Sequence, residues 1–423
     1  QILIMMQVCV TTMAGNETGL NMPELALGSC ILTALNLPIS EGVVLKLLKD
    51  EEELDLERPL KESGVADGST LTLVRCSKDI GVAVGFKGGP AALYSAVTCE
   101  KRLDLIGHWG MIARIEISPD GRSVMTSSRD KSARVWDVSN GATLQTLPEA
   151  GAVASCSYLG GGVQKVLTVS VSWGFPPVLK LLSLKTGRCT WVFNNVNEIS
   201  QTECSSDGTL MLTVARPVHL WCLESGKQLA TLDGHLDRVT DATFSSDSMY
   251  IATAGNDNKA LIWSVERDTP MRCFQGHSGP LLTVEFSNDG RHLLTTSQDG
   301  SAKVWRCSDG TCLRSFSVRP RDDLGTLRAR VARFSPTNGD VVMVVDTDGA
   351  VKIFHLNVEA PTQVLSTPDE EILVASFSPD SSKVITISVG WIIRVWNTEQ
   401  GDCAGILSSG NEVSDISIAW TAC

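Results

Sequence analysis

Short runs that alternate apolar and polar residues recur through most of the chain, and a turn signal bounds each run. The clearest set covers 113–118, 123–128, 133–138 and 143–147. The turns between these runs contain Asp120-Gly121, Arg129-Asp130-Lys131 and Asn140-Gly141. Asp-Gly and Asn-Gly supply the positive φ that tight hairpins require. Because a period of two is typical of half-buried strands, this segment is predicted to form a four-stranded antiparallel sheet.

This four-strand pattern repeats with a period of about 42 residues. Trp221, Trp263 and Trp305 are 42 residues apart in both steps, and so are Phe354 and Trp396. Trp136 and Trp221 are 85 residues apart, which leaves room for one degenerate copy at about 158–184. Short strands at a fixed period of this length predict the radially repeated blades of a β-propeller.

The two ends of the repeat region decide the number of blades. Segments 81–86, 91–95 and 102–106 look like the last three strands of a blade, and 412–420 looks like a first strand. Together they would complete a composite blade, which removes the open edges that a sheet otherwise exposes. We therefore expect a mainly β fold with an eight-bladed propeller over residues 78–423. Seven blades with one extra strand is the alternative.

A Gly-His pair precedes three of the tryptophans by 28 residues, and Trp136 is followed by Asp137. These motifs resemble the WD-repeat family, whose blades carry a buried tetrad of His, Ser or Thr, Asp and Trp. The resemblance implies such tetrads in the first, fourth and fifth copies, with Gly255 in place of the hydroxyl in the fourth. The residues are His108, Ser128, Asp130 and Trp136; His235, Asp257 and Trp263; and His277, Ser297, Asp299 and Trp305. The other four copies are expected to be held by apolar packing.

The first 77 residues lack the period. Strand patterns cover 6–12, 18–22, 43–48 and 70–74, and a short helical pattern covers 27–35. The run from Glu53 to Val74 resembles the second half of the ubiquitin-like, or β-grasp, family, which implies a small α+β domain over residues 4–77. Because Arg75-Cys76-Ser77-Lys78 follows Val74 without a Gly-Gly terminus, this domain would dock and not be conjugated. Leu48 and Val74 are its candidate apolar patch, although ordinary strand packing also explains Leu48.

Charge and composition narrow the expected partners. A net charge of −12 disfavours direct nucleic-acid binding, because phosphate contacts draw on clustered Lys and Arg. Thirteen scattered cysteines without a Cys-x-x-Cys motif predict free, buried thiols in a cytoplasmic protein. No apolar run reaches the roughly 20 residues that span a bilayer, so no membrane insertion is expected. Since the chain starts at Gln1 and not at Met, an upstream targeting segment stays an open alternative.

The sequence offers no convincing catalytic or metal site. Residues 276–280 narrowly miss Gly-x-Ser-x-Gly because Pro280 replaces the last glycine. His108, Ser128 and Asp130 superficially suggest a triad, but they are expected to be buried at the centre of a blade. The acidic run at 50–55 is interpreted as a solvated loop, since consecutive carboxylates do not converge on a metal. We therefore expect no enzyme, no cofactor and no metal.

These features favour a non-catalytic scaffold or subunit of a multiprotein complex, with other proteins as partners. The alternative is an adaptor in ubiquitin-linked or ribosome-assembly pathways, because the domain order resembles that of Notchless-type assembly factors. In WD-repeat propellers, the residue six positions before each first-strand anchor tends to line the narrow top face. This rule predicts a binding face of Met111, Arg238, Pro280, Arg328 and Glu371, and Arg330, two residues after Arg328, is expected to share that rim. Arginine suits such a face because its planar group binds carboxylates and stacks on aromatic rings. A set of merely solvated loop residues is the competing interpretation.

Overall fold

A computed structural model describes most of the chain, and it divides into two compact units, residues 1–79 with Cys423 and residues 80–422. The described residues are 5–12, 17–23, 43–49, 52–53, 70–77, 79–159, 165–172, 175–193, 199–318, 332–367, 371–408 and 413–421. Every regular element within these ranges is a β-strand.

The first unit contains one five-stranded sheet. Its strands are β1 (Met5–Thr12), β2 (Glu17–Pro23), β3 (Val43–Lys49), β4 (Glu52–Glu53) and β5 (Thr70–Ser77). The strand order is β2-β1-β5-β3-β4, in which β1 and β5 run parallel and the other neighbours run antiparallel. The predicted helical segment at 27–35 lies outside the described residues.

The second unit is a propeller of eight four-stranded antiparallel blades. Blades 1 and 2 are β9 (Ile112–Ile117), β10 (Ser123–Ser128), β11 (Ser132–Asp137), β12 (Thr143–Pro148); and β13 (Ala152–Tyr158), β14 (Lys165–Val171), β15 (Val178–Ser183), β16 (Cys189–Phe193). Blades 3 and 4 are β17 (Gln201–Cys204), β18 (Leu210–Val214), β19 (Val218–Cys222), β20 (Gln228–Leu232); and β21 (Val239–Phe244), β22 (Tyr250–Gly255), β23 (Lys259–Ser264), β24 (Pro270–Gln275). Blades 5 and 6 are β25 (Leu281–Phe286), β26 (His292–Ser297), β27 (Ser301–Arg306), β28 (Cys312–Ser317); and β29 (Ala332–Phe334), β30 (Val341–Val345), β31 (Val351–His355), β32 (Gln363–Leu365). Blade 7 is β33 (Ile372–Phe377), β34 (Lys383–Ser388), β35 (Ile393–Asn397), β36 (Cys403–Ser408).

Blade 8 closes the ring with strands from the two ends of the repeat region. Its order is β37-β6-β7-β8, formed by β37 (Val413–Thr421), β6 (Asp79–Phe86), β7 (Ala91–Ser95) and β8 (Lys101–Leu105). The prediction of eight blades is confirmed, and the seven-blade alternative is wrong. Blade 2 begins at Ala152 and not at the predicted residue 158. Tyr158 is the last residue of its first strand and not the first. This copy has neither a Gly-His pair nor a Trp at the period to fix its start.

A recurring side-chain bond shapes the turn between the first and second strands. In blade 1, Ser118 Oγ donates to Asp120 Oδ1 at 2.6 Å, and Gly121 follows with a φ of 71°. Equivalent Ser–Asp bonds of 2.5–2.6 Å occur in blades 3, 4, 5 and 7. A short polar side chain that bonds within its own turn competes with continued strand structure, so these pairs fix where each hairpin folds back.

The propeller core is divided into eight apolar clusters, one at each interface between neighbouring blades. Trp136 and Trp263 are among the largest fully buried side chains. Every blade therefore buries one face against the blade before it and the other against the blade after it. Burial at about 25 cal/mol per Å² of apolar surface is the main force that holds the ring together.

The structure corrects the expectation that the cysteines are buried. The nine cysteines in the described part of the second unit are free thiols, and only Cys156 among them is buried. Cys189, Cys273, Cys312 and Cys403 are exposed, because they lie on the outermost strands β16, β24, β28 and β36, where no further strand covers them.

Candidate functional site

A buried polar network joins the inside of blade 1 to its loops. Trp136 Nε1 donates to Thr126 Oγ1 at 2.8 Å, and Thr126 Oγ1 lies 2.8 Å from His108 Nε2. His108 Nδ1 lies 2.7 Å from Asp130 Oδ2. Blades 4 and 5 repeat this arrangement at closely similar distances, with Trp263, Thr253, His235 and Asp257, and with Trp305, Thr295, His277 and Asp299.

The hydroxyl of each network is a threonine and not the predicted serine. Ser128 and Ser297 lie two residues closer to the turn and bind the backbone there: Ser128 Oγ donates to Gly110 O at 2.9 Å and accepts from Asp130 N at 3.1 Å. Ser297 makes the same bonds with Gly279 and Asp299. Blade 4 was wrongly predicted to lack a hydroxyl, because Gly255 corresponds to these serines while Thr253 completes the network. A Cβ on Gly255 would come within 2.4 Å of His235 Nδ1, so the glycine is required by space.

The protonation states follow from burial. Burial lowers the pKa of His108 and His277 below the usual value, although the neighbouring aspartate acts to raise it. Burial alone would raise the pKa of Asp130 and Asp299, but hydrogen bonds from the adjacent serine and histidine outweigh it and lower the pKa. A neutral histidine that donates from Nδ1 to the aspartate must accept the threonine hydroxyl at Nε2.

The distances in this network resemble those of a catalytic Asp–His–hydroxyl relay, but a substrate has no access to its groups. The His108 and Asp130 side chains are 0% and 1% exposed, so no substrate can reach them. The Thr126 oxygen also already accepts the Trp136 N–H bond. These groups satisfy polar atoms that would otherwise be costly to bury.

The threonine–tryptophan bond extends beyond the three complete networks. Trp221 Nε1 donates to Thr213 Oγ1 at 3.0 Å in blade 3, and Trp396 Nε1 donates to Thr386 Oγ1 at 2.8 Å in blade 7. None of the five threonines was predicted from the sequence. A usable signal was present, since four of the five lie ten residues before their tryptophan.

The networks set the shape of the top face, defined here as the end of the blades that carries the connections between blades and the turns between second and third strands. The residue after each Gly-His pair donates its backbone N–H to the network aspartate: Trp109 at 3.3 Å, Leu236 at 3.0 Å and Ser278 at 2.9 Å. This bond turns the side chain outwards. Trp109 is 79% exposed and Leu236 is 74% exposed. Neither residue was predicted from the sequence.

Four of the predicted top-face residues occupy one equivalent position. The carbonyls of Met111, Arg238, Pro280 and Glu371 each accept a hydrogen bond of 2.9–3.0 Å from the first residue of the second-to-third-strand turn in their own blade. Arg238 and Glu371 are exposed, whereas Met111 and Pro280 are half-buried. Arg328 and Arg330 lie outside the described residues.

Apolar and aromatic side chains gather on the top face where blades 7, 8 and 1 meet. Lys87 Nζ, in the turn of blade 8, lies 5.8 Å from the centre of the Trp391 ring in blade 7. A Cβ on Gly89 in that same turn would come within 3.0 Å of the carbonyl oxygen of His108, beside Trp109. Ile106 and Val389 are both exposed here. The turn of blade 8 therefore lies between the half-buried Trp391 and the exposed Trp109.

A channel of about 450 Å³ runs along the innermost strands and mixes both charges. Arg114, Glu203 and Asp241 line it, and Asp241 Oδ2 accepts from Val284 N at 3.0 Å in the next blade. Beside it, burial raises the pKa of Glu116 to about 7, although Arg114 acts to lower it. Among the described residues, no group of three or more His, Cys, Asp or Glu side chains is arranged to hold a metal ion.

The candidate patch on the first unit lies on paired strands. Val74 of β5 pairs with Lys46 of β3, two residues before Leu48. Within the acidic run at 50–55, only the backbone of β4 belongs to the described residues. A search of the described part of the chain finds no helix with the length and hydropathy needed to cross a membrane.

The family model for the WD domain, G-beta repeat, matches residues 98–137, 226–264 and 268–306. These three stretches are WD repeats. Each begins with the outermost strand of one blade and ends with the third strand of the next, namely β8–β11, β20–β23 and β24–β27. The matched stretches are the ones that contain the complete His–Thr–Asp–Trp networks.

Curated proteins with related sequences match only part of the chain. Eukaryotic translation initiation factor 3 subunit I from Bombyx mori is 24% identical over 164 residues, which cover 36% of this chain and 50% of the relative. Autophagy-related protein 16 from Arabidopsis thaliana is 27% identical and covers 36% and 30%, respectively. Pre-mRNA-processing factor 19 homolog 2 from Arabidopsis thaliana is 26% identical and covers 44% and 36%. The chain thus spans half or less of the length of these relatives.

Proposed function

We propose that the propeller is a non-catalytic interaction subunit that binds a partner protein through its top face. The observation that carries this proposal is the exposure of Trp109, Leu236 and Arg238 on loops that buried networks hold in place. Trp and Arg are the residues that most often anchor protein interfaces, and a fixed loop loses little entropy on binding. One relative is by name a subunit of a translation initiation factor, which supports a role within an assembly.

The test compares affinity capture by the full chain and by two pairs of variants, with partners quantified by mass spectrometry. Trp109→Asp with Arg238→Glu should reduce capture of the main partner at least about tenfold, because both changes remove interface anchors. The control pair is Leu144→Asp with Arg267→Glu, which makes the same kinds of change at exposed positions away from the top face. Equal capture by the two pairs would contradict the top-face proposal.

A second candidate function is an adaptor that docks through a ubiquitin-like domain at residues 4–77, with the propeller at 78–423 and cytoplasmic localisation. The strand order supports it, because the parallel pair β1 and β5 lies at the centre of a mixed sheet with a hairpin on either side. Capture by the Leu48→Ser, Val74→Ser double variant tests it. Loss of partners that the Trp109→Asp variant still captures would favour this function, whereas unchanged capture would contradict it.

A further inference from the structure

An open groove separates blades 4 and 5 at the bottom face, the end of the blades opposite the top face. It encloses about 510 Å³. Its apolar lining includes Tyr250, Met271 and Phe286, and Met271 is 52% exposed. A monomeric protein rarely leaves a concave apolar surface of this kind uncovered without a binding role.

Three arginines line the same groove, although the chain as a whole carries a net charge of −12. Arg306 NH1 lies 2.9 Å from Asp309 Oδ2, and Arg291 Nε lies 3.7 Å from Asp289 Oδ2, so both have a local carboxylate. Arg272 differs. In the part of the chain that the structure describes, no carboxylate lies within ion-pair distance of its guanidinium group.

The interface between blades 5 and 6 has an arginine at the position that corresponds to Arg272, and there the chain itself occupies the space beside it. Arg272 and Arg314 are equivalent, because Trp263 pairs with Pro270 and Trp305 pairs with Cys312, each two residues before the arginine. The Arg314 guanidinium lies 5.0 Å from the Phe316 ring centre and 5.5 Å from that of Phe354. It donates to the carbonyls of His355, Val358 and Glu359. The chain's own turn therefore supplies the acceptors for Arg314.

Turn length explains why the groove beside Arg272 stays open. The turn that meets Arg314 spans 356–362, whereas the corresponding turn of blade 5 spans only 307–311. The shorter turn approaches Arg272 at Gly310, where a Cβ would lie 3.7 Å from Arg272 Cδ, but it provides no hydrogen bond to the guanidinium. Arg272 thus keeps donors that its counterpart uses on a segment of polypeptide.

We propose that this groove binds a short acidic peptide segment of a partner protein. Arg272 would pair with a carboxylate of that segment, and an apolar side chain next to the carboxylate would cover Met271 and Phe286. A peptide fits better than a nucleic acid, because the apolar lining offers one arginine without a local carboxylate, and a carboxylate beside an apolar side chain matches that arrangement better than a run of phosphates does. The groove lies at the opposite end of the blades from Trp109, so this inference does not depend on the top-face proposal.

The experiment selects binders from a displayed library of random dodecapeptides with the full chain as target, and then measures the affinity of the selected peptides by fluorescence anisotropy. The selected pool should be rich in Asp and Glu next to Leu or aromatic residues. Arg272→Glu and Met271→Asp should each weaken binding at least about tenfold, because they reverse the charge and remove the apolar contact. Trp109→Asp should leave peptide affinity unchanged.

Leu229→Asp is the matched control for Met271→Asp. Leu229 occupies the same position on blade 3, since Trp221 pairs with Gln228, and it is 55% exposed. Arg267→Glu is the control for Arg272→Glu on the same blade. A pool that is not acidic, or whose affinity is equal in the groove and control variants, would overturn the proposal. Tighter binding of a fluorescein-labelled oligouridine that depends on Arg272 would instead identify a nucleic acid as the occupant.

Discussion

Blades 5 and 7 each pack around a buried tryptophan but differ in the polar groups next to it. Trp305 and Trp396 are both buried, and each donates to a threonine at 2.8 Å. In blade 5 the network continues to His277 and Asp299. In blade 7, Gly390 occupies the position that corresponds to Asp299. Ser388 Oγ of that blade has no hydrogen-bond partner among the described residues.

This difference separates two tasks within one blade. Both blades belong to apolar clusters of similar size, so apolar packing holds each blade in the ring. The additional network of blade 5 instead bonds the backbone of the loop at Ser278 and of the turn at Ser301. The polar residues therefore act on the top face, where a binding surface needs loops of fixed shape.

The largest expected effect comes from removing the tryptophan, which tests whether packing dominates in both blades. Trp305→Ala and Trp396→Ala should each destabilise the protein by about 3–5 kcal/mol, because each leaves a large cavity in an apolar cluster. Urea denaturation monitored by circular dichroism measures the loss. If Trp396→Ala costs less than about 1 kcal/mol while Trp305→Ala costs the full amount, the network and not the packing stabilises blade 5.

A smaller effect is expected from removing the aspartate, which exists only in blade 5 of this pair. Asp299→Ala should cost about 1–3 kcal/mol, because it leaves the buried His277 ring N–H and the backbone N–H groups of Ser278 and Ser301 without their acceptor. Hydrogen exchange should show lost protection at the amides of Ser278 and Ser301. Asp268→Ala, an exposed aspartate on blade 4, should change stability by less than about 0.5 kcal/mol. Equal effects of the two substitutions would mean that the network contributes nothing.

The sequence was sufficient for the propeller because its signals are local and repeated. Trp263 and Trp305 mark the same strand at a fixed period, and Asp120-Gly121 marks a hairpin wherever it occurs. Once the blade unit was recognised, a shared closing blade followed from the need to pair the free strand edges. The start of blade 2 was predicted wrongly because this blade lacks the Gly-His and Trp motifs. It is held by apolar packing, which appears in the sequence only as a pattern of apolar residues.

The site was harder to predict because it depends on contacts between segments. Three consecutive residues, Thr126, Ser127 and Ser128, carry hydroxyl groups. Only the strand register determines that Thr126 contacts the Trp136 indole and that Ser128 bonds the backbone at the turn. The difference between Arg272 and Arg314 depends on the turn length of a neighbouring blade. No local pattern around either arginine contains that information.

The smallest predicted effect is a loosening of the top face at blade 5 in mild acid. Burial lowers the pKa of His277, so below about pH 6.5 this side chain binds more protons in the unfolded chain than in the folded chain. The stability that neutral His277 contributes is therefore present above that pH and is lost as the pH falls through the folded-state pKa. Amide protection of Ser278 and Ser301 should decrease between about pH 7.5 and 5.5, and that of the blade 7 turn at 389–391 should not.

The acid effect of His277 has to be measured locally, because Glu116 changes the free energy of unfolding with pH in the opposite direction. Burial raises its pKa from 4.5 to about 7, so its contribution is present below pH 4.5 and is lost as the pH rises through 7. Arg114, Glu203 and the Ser157 hydroxyl share its surroundings and modify this shift. A global melting temperature mixes both groups, whereas Glu116→Gln removes the opposing one. In that variant, stability should fall steadily below about pH 6.5, and protection at Ser278 that stays constant there would rule out His277 as the acid-sensitive group.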